Sequence, residues 1–440
     1  MALPVVAIVG RPNVGKSTLF NRVIRRMNAV VDSTPGVTRD RNYAATEWNG
    51  LSFTLVDTGG YLPPGDGDEL TDAVSEQTMI ATDEADVILF VIDSQTGLVE
   101  TDVQLSKIIL RKGTPTLLIM NKVDDVSQLG NAWEAGTMGM GDPVPVSSKA
   151  GFLFADMLDT LVELLQKIKP VHPESDEKDT MSLAIIGSPN SGKSSLVNRL
   201  TGNQRMVVSN IPGTTRDAVD TVVKYHGLSI RLIDTAGLRR KRYGEQGLDF
   251  YMTLRALRAL ERCEVTVIMI DAEKGLVQGD MRLINQADEA GTGILLAVNK
   301  WDLVEKDQYT ADQWLENWKF KMPTFQWVPV LFVSALTGQR SIKILERALE
   351  VKKLRDQRIA TADLNEAIGS QLLNNPPPAV KGKLVRVKYI AQVTTRPPHF
   401  VCFASHSKVV PKSYYRYVER LIRKEYDFTG VPVKVSFRGK

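Results

Sequence analysis

The reading turns on two stretches, GRPNVGKSTLFNR from Gly10 to Arg22 and GSPNSGKSSLVNR from Gly187 to Arg199. They are one motif written twice, 177 residues apart. Each matches G-x-x-x-x-G-K-[ST] and follows an apolar run, Val5–Val9 or Leu183–Ile186, with a helix-length segment behind it. That strand–loop–helix setting is the one in which the pattern wraps phosphate. Glycine permits the tight, partly left-handed path that lets successive backbone N–H groups converge on phosphate oxygens. The loop residues are Gly10, Asn13, Val14, Gly15, Lys16, Ser17 and Thr18 in the first copy, and Gly187, Asn190, Ser191, Gly192, Lys193, Ser194 and Ser195 in the second. Lys16 and Lys193 bring positive charge to the β- and γ-phosphates. Ser17 and Ser194 offer hydroxyls to Mg2+, and the N-terminus of the following helix faces the anion.

Outward from the loops, the offset of 177 persists from Gly36 to Gly213 and from Asp57 to Asp234. It becomes 178 between Asn121 and Asn299 and 187 between Ser147 and Ser334, so insertions accumulate late in the second copy. Short apolar runs alternate with helix-length segments at Val5–Val9, Phe53–Val56, Val87–Ile92, Thr116–Met120 and Val144–Val146. The second copy repeats them at Leu183–Ile186, Ile230–Ile233, Val265–Ile270, Ile294–Val298 and Val328–Val333. Such alternation predicts an α/β fold in each copy, a mainly parallel sheet covered on both faces, with ligands at the carboxyl ends of the strands. The predicted organisation is a first domain over 1–168, an acidic, proline-containing linker over 169–180, a second domain over 181–354 and a small α/β unit over 355–440. After the second copy's strands, a helix near Ile342–Lys353 leads to the breaker at Asn374–Pro378. Strands at Lys383–Gln392 and Phe400–Ala404, a helix at Tyr414–Tyr426 and a strand at Pro432–Phe437 follow.

Composition sets the outer bounds. A chain of 440 residues exceeds one hydrophobic core, and 43% hydrophobic with 24% charged residues is ordinary for globular proteins. No apolar run approaches the roughly 20 residues of a spanning helix, and the start lacks the pattern of a secretory signal, so no membrane association and a cytoplasmic location are expected. The two cysteines, Cys263 and Cys402, fit a reducing compartment and structural thiols. The net charge of +4 is uneven: residues 351–440 hold 18 Lys and Arg against 6 Asp and Glu, leaving 37 against 45 in residues 1–350. The tail therefore suits an anionic partner, a solvated basic surface being the plainer alternative.

Companion motifs specify the base. NKVD at Asn121–Asp124, with Lys122, and NKWD at Asn299–Asp302, with Lys300, each end a predicted strand. The carboxylates of Asp124 and Asp302 suit the N1–H and 2-amino donors of guanine, while Asn121 and Asn299 brace the loop or bind N7. Ser147-Ser148-Lys149 and Ser334-Ala335-Leu336 follow later strands, where a backbone N–H can meet the guanine 6-oxo group. DTGG at Asp57–Gly60 and DTAG at Asp234–Gly237 match D-x-x-G, the aspartate holding Mg2+ through water and the glycine sensing the γ-phosphate. In GVTRD and GTTRD only Thr38 and Thr215 align, so these are the threonines expected to close over Mg2+. Signalling GTPases place a water-orienting glutamine after the D-x-x-G glycine, whereas this chain has Tyr61 and Leu238. Asn13 and Asn190 are either loop-shaping residues or amide ligands to a monovalent cation, whose charge would stand in for an arginine finger.

PNVGKS, PGVTRD, DTGG and NKVD, then PNSGKS, PGTTRD, DTAG and NKWD, followed by a basic α/β tail, closely resemble the Der family of bacterial GTPases, also called EngA. The resemblance covers essentially the whole chain. It implies two Ras-like P-loop GTPase domains, a C-terminal KH-like domain and a role in late assembly of the large ribosomal subunit, with ribosomal RNA as partner. It also implies GTP and GDP as ligands and hydrolysis promoted by K+, which favours the cation role for Asn13 and Asn190. The chain is expected to act as a monomer. Two departures are a tail without the G-x-x-G loop by which KH domains clamp RNA and SSK where relatives commonly have SAK. Arg416, Arg420, Arg423 and Lys424, with Lys408 and Lys412, are candidate RNA contacts, and most of the aromatics among them are expected in the core. After the second D-x-x-G stands a basic run, Arg239 to Arg242, expected to face the tail, RNA or an acidic surface according to nucleotide state. Rival readings are a GTPase serving tRNA modification and a GTP/GDP sensor with one silent copy.

Overall fold

The computed structural model describes residues 3–27, 43–61, 68–124, 135–167, 180–202, 208–211, 220–233, 245–305, 307, 309–378 and 385–439. Thr38, Thr215, Asp234, Gly237, the basic run after it and all but the last residue of the acidic linker lie outside these. The chain divides into two compact units, the first made of Met1–Ser33, Thr38–Ser175 and Lys241–Arg258, the second of Thr34–Val37, Asp176–Arg240 and Ala259–Lys440. No described helix is long and apolar enough to cross a membrane.

The first unit is built on strands β1 (Val5–Val9), β2 (Tyr43–Trp48), β3 (Leu51–Asp57), β4 (Val87–Asp93), β5 (Thr116–Asn121) and β6 (Val144–Val146), ordered β2-β3-β1-β4-β5-β6. All neighbours are parallel except β2 and β3. The continuous apolar runs follow from burial on both faces. Val5, Ala7 and Val9 of β1 join one core cluster, and Val6 and Ile8 join the other.

The second unit repeats this sheet with β7 (Thr180–Gly187), β8 (Val208–Ile211), β9 (Asp220–Tyr225), β10 (Leu228–Ile233), β11 (Val265–Asp271), β12 (Gly293–Asn299) and β13 (Val330–Phe332), ordered β13-β12-β11-β7-β10-β9-β8. Sequence reading passed over β2, β8 and β9, short strands in which polar residues interrupt the apolar run. Their hairpins carry a turn signature instead: Asn49 and Gly50 at φ 48° and 80°, and His226 and Gly227 at 49° and 81°, as two-residue turns with both φ positive require. The late insertion in the second copy contains a helix, Thr310–Lys321. It is anchored where Trp301 packs on Phe332 at 4.2 Å and Trp314 meets the same ring edge-on.

The tail adds a helix at Thr361–Asn374, strands β14 (Val387–Thr395) and β15 (Pro398–Ala404), a helix at Lys412–Glu425 and β16 (Lys434–Arg438). It shares one core with the second G domain. Val351 and Ala348 of the helix Lys343–Asp356 cluster with Ile368, Phe400, Val418 and Phe428. Backbone bonds stitch the two: Ile294 N–H donates to Gly430 O at 2.7 Å, and Gly430 N–H to Trp327 O at 2.8 Å. Arg423, one of the candidate RNA contacts, is spent on this seam. Its guanidinium donates to Glu419 at 2.9 Å and to the carbonyls of Phe428 and Val431 at 3.0 Å, and lies 4.4 Å from the Trp327 ring centroid. Arg416, Arg420, Lys424, Lys408 and Lys412 are exposed. Tyr414 is buried and Tyr417 packs against the core, as expected for these aromatics.

Gly430 has φ +74°, and a Cβ there would stand 2.6 Å from Val351 Cγ2 and 3.0 Å from Ile294 O. Gly430→Ala is expected to destabilise the second unit by about 3 kcal/mol through combined backbone strain and overpacking. Gly50→Ala, at φ +80° with nothing within 4 Å, should cost only about 1 kcal/mol. Calorimetric unfolding of the two variants measures the difference.

Candidate guanine-nucleotide sites

Each phosphate-type loop leaves the carboxyl end of a central strand, β1 or β7, and enters a helix at Lys16–Met27 or Lys193–Thr201. Steric necessity fixes the glycines: a Cβ on Gly10 would strike Val91 O, one on Gly187 would strike Met269 O, and those on Gly15 and Gly192 would strike the amides of Asn121 and Asn299. The two lysines are buried and turn back on the loop. Lys16 Nζ donates to Gly10 O at 2.7 Å and Arg11 O at 2.8 Å; Lys193 Nζ donates to Gly187 O at 2.9 Å and Ser188 O at 2.8 Å. Burial pushes both ammonium groups down to about 8, against the attraction of Asp57 for Lys16 and of Asp280 for Lys193.

The base-reading motifs are held by one bracket in both copies. Asn121 Nδ2 donates to Val14 O at 2.7 Å while its Oδ1 accepts from Ser148 N–H at 2.9 Å; Asn299 does the same with Ser191 O and Ala335 N–H, both at 2.8 Å. Of the two roles read from sequence for these asparagines, the geometry displays bracing. The same bracket takes up the N–H groups of Ser148 and Ala335.

Sequence reasoning missed two supports. Lys122 and Lys300, at φ 67° and 64°, each reach an aspartate at the end of the neighbouring strand, Asp93 and Asp271, at 2.6 Å. Arg22 donates to the carbonyls of Ser148, at 2.5 Å, and Lys149, and Arg199 donates to those of Ala335, at 3.3 Å, and Leu336. Both arginines close the quoted repeat at its constant offset, which was the available signal.

The carboxylates differ. Asp124 Oδ1 accepts the Ser147 hydroxyl at 2.6 Å, whereas Asp302 Oδ1 is buried without a hydrogen-bond partner, and the Ser334 hydroxyl accepts from Thr337 N–H at 3.1 Å. An orphaned buried carboxylate oxygen is costly, and the paired donors of guanine are the kind of group that relieves it. Lys149 and Leu336 are exposed beside these frames.

On the metal side, Asp57 Oδ1 accepts Gly59 N–H at 2.9 Å. A Cβ on Gly59 would lie 3.1 Å from that oxygen, 3.2 Å from Lys16 Cε and 3.4 Å from Ser17 Oγ, so these three groups converge. Gly60 sits in the short turn Thr58–Tyr61. Thr18, Ser194 and Ser195 lie in the first turns of the two loop helices. Asn13 and Asn190 stand at φ 66° and 63°, left-handed positions that asparagine tolerates better than most residues.

Two mainly parallel-sheet domains with matching phosphate loops and base brackets define a tandem P-loop GTPase. The family model described as 50S ribosome-binding GTPase matches residues 5–122 and again 182–300, and the KH-domain-like model of EngA bacterial GTPase enzymes matches 358–438. The chain is 44% identical to GTPase Der of Moorella thermoacetica over 100% of its own length and 99% of that protein. It is likewise 44% identical to GTPase Der of Flavobacterium johnsoniae over 99% of both. Among solved structures, Aquifex aeolicus Era bound to GDP and aluminium fluoride matches 60% of this chain and 93% of that one at 20% identity, with a TM-score of 0.31. The chain belongs to the GTPase Der (EngA) family. It is a GTP-binding GTPase, with GTP or GDP and Mg2+ as the implied ligands.

Loss of either arginine should loosen a base frame without unfolding it: Arg22→Ala or Arg199→Ala is expected to weaken GDP binding at that site about tenfold, read by titration calorimetry. The buried lysines give a pH signature. Below about pH 8 each ammonium is already charged, at a cost to the folded state that fades as pH rises. Phosphate raises the lysine pKa again, so binding above pH 8 requires proton uptake, and affinity should fall by up to about tenfold per pH unit. Calorimetry in buffers of different ionisation heat should find uptake approaching one proton per site near pH 9, lost at the first site in Lys16→Met.

Proposed function

We propose that the chain is a cytoplasmic, monomeric switch in ribosome biogenesis: GTP binding makes a form that docks on ribosomal RNA in the late large subunit, and hydrolysis releases it. One observation carries the reading. The same frame of loop, lysine and asparagine bracket is built twice in a chain whose last 90 residues hold 18 basic against 6 acidic residues. The family model's own description as a 50S ribosome-binding GTPase supports it. The working domain assignment is 1–168 and 181–354 for the two G domains and 355–440 for the RNA-binding tail.

In this reading the loop N–H groups and Lys16 or Lys193 neutralise the phosphates, and Asp124 or Asp302 selects guanine. Ser17, Thr38 and Asp57, and Ser194, Thr215 and Asp234, would hold Mg2+, which when bound supplies positive charge at the phosphate oxygens. The convergence of Ser17 and Asp57 at Gly59 fits that role. Gly60 and Gly237 would report the γ-phosphate to the segments that follow. Neither Tyr61 nor Leu238 has a side-chain amide to orient water, and the positive charge that an arginine finger supplies in other GTPases needs a source of its own. K+ held by Asn13 and Asn190 is the proposed source, although their left-handed backbone accounts for asparagine without any ligand. Asn13→Gly keeps that conformation and deletes the amide. If K+ binds there, the variant hydrolyses GTP at the first site without preference for K+ over Na+, assayed in a Lys193→Ala background; undiminished K+ stimulation restricts Asn13 to shaping the loop.

Lys16→Ala and Lys193→Ala, assayed separately, identify a silent copy: an unchanged turnover on losing one lysine makes that site a sensor. Sedimentation with purified large subunits under GDP, GTP and a non-hydrolysable analogue tests the ribosomal reading. Association is expected with the analogue and release with GDP; failure to co-sediment in every condition overturns it.

A further inference from the structure

The tail sheet has two faces of different chemistry. Ile390, Phe400 and Cys402 lie in the core shared with the second G domain. On the opposite face, the register sets Tyr389, Phe403 and Arg438 in one row across the three strands, and His399 beside Lys434 in another. An irregularity in β14 makes this possible. Val387 pairs with Ala404 but Tyr389 pairs with Phe403, so Lys388 is an extra residue that reverses the alternation. Tyr389 is thereby turned away from the core that Val387 joins.

The resulting surface is built rather than incidental. The Tyr389 and Phe403 rings stack at 4.4 Å between centroids and 15° between planes, and Tyr389 remains 38% exposed. His399 is fixed by a 2.7 Å hydrogen bond to Ser436, and burial, with Lys434 and Arg438 nearby, holds its pKa down. Lys388, Lys434 and Arg438 are exposed at the margins. None of the residues that the register puts on this face is acidic. The helix Lys412–Glu425 is a poorer candidate for binding an anion, since it mixes Glu419 and Glu425 with its bases and commits Arg423 to the seam. Between Val351 and Lys440 no G-x-x-G loop exists to clamp a nucleotide backbone. A sheet displaying aromatics can instead take unpaired bases face to face, whatever their sequence, while flanking Lys and Arg meet the phosphates.

We propose that this outward sheet face is a docking surface for single-stranded RNA, with Tyr389 and Phe403 as the stacking pair and Lys388 and Arg438 as phosphate contacts. The proposal rests on the reading above that the tail binds RNA, and names where and in what form.

The test uses the full-length protein loaded with a non-hydrolysable GTP analogue and a fluorescent 12-nucleotide single strand, a duplex of the same sequence and deproteinised large-subunit RNA. Tyr389→Leu, which keeps an apolar side chain, is expected to weaken single-strand binding on the order of tenfold. Arg438→Ala should weaken it severalfold and flatten its salt dependence. A double Arg416→Ala, Arg420→Ala variant should stay within about twofold, and GTP turnover should be unchanged in all. Thermal unfolding checks Tyr389→Leu, and Arg438→Ala, an exposed change, answers independently. Equal single-strand affinity in Tyr389→Leu and Arg438→Ala, or preference for the duplex, overturns the sheet face. If the helix variant alone loses binding, RNA recognition stands and the surface is wrong. If no RNA binds the unmodified chain, the RNA reading itself fails.

Discussion

An asparagine amide that joins two loops is the interaction on which both nucleotide sites depend. Asn121 and Asn299 each donate to a carbonyl of the phosphate loop and accept an N–H from the loop after the last parallel strand. A single side chain thus sets the distance between the part that would hold phosphate and the part that would read the base. Around it the constraints interlock. Gly15 and Gly192 must lack a Cβ because the amide occupies its place. The following lysines must turn left-handed to reach Asp93 and Asp271, and Arg22 and Arg199 hold the far loop from beneath. No one of these bonds is strong, but they are mutually dependent, and such networks lose more than a pairwise sum when one member is removed.

Much of this was legible in the residues. The duplicated motif named the loops, and the spacing of NKVD and NKWD put the base readers on the same sheet edge. Apolar runs located the parallel strands to within three residues at either end, because strands buried on both faces have little choice of composition. The hairpin strand Tyr43–Trp48 was not found for the opposite reason: its exposed face allows Ala45 and Glu47 alike. Arg22 and Arg199 were in plain view in the repeat, yet an arginine on a helix reads as a solvated charge until its carbonyl partners, more than 120 residues away, are known. Long-range partners of this kind leave no periodicity to detect.

The tail shows the same limit from another side. Its charge excess pointed to an anionic partner, but charge counting treats every base alike. Packing separates them: Arg423 is consumed by Phe428, Val431 and Trp327, and Arg438 is exposed. The one-residue irregularity at Lys388 has the larger effect, since it decides which way Tyr389 faces, and local sequence patterning does not reveal it.

Strand β12 has two ends with different attachments. Near its start, Ile294 is bonded to Gly430 of the tail; at its finish, Asn299 brackets the second site. Five residues of extended chain, about 17 Å of nearly inextensible backbone, therefore connect the basic tail to the guanine frame as a single rod. The first copy's bracket ends no strand so attached among the described residues. The duplication is thus complete in chemistry and unequal in mechanics: a displacement of the tail core along that strand is delivered to the second purine frame, with no loop in between to absorb it.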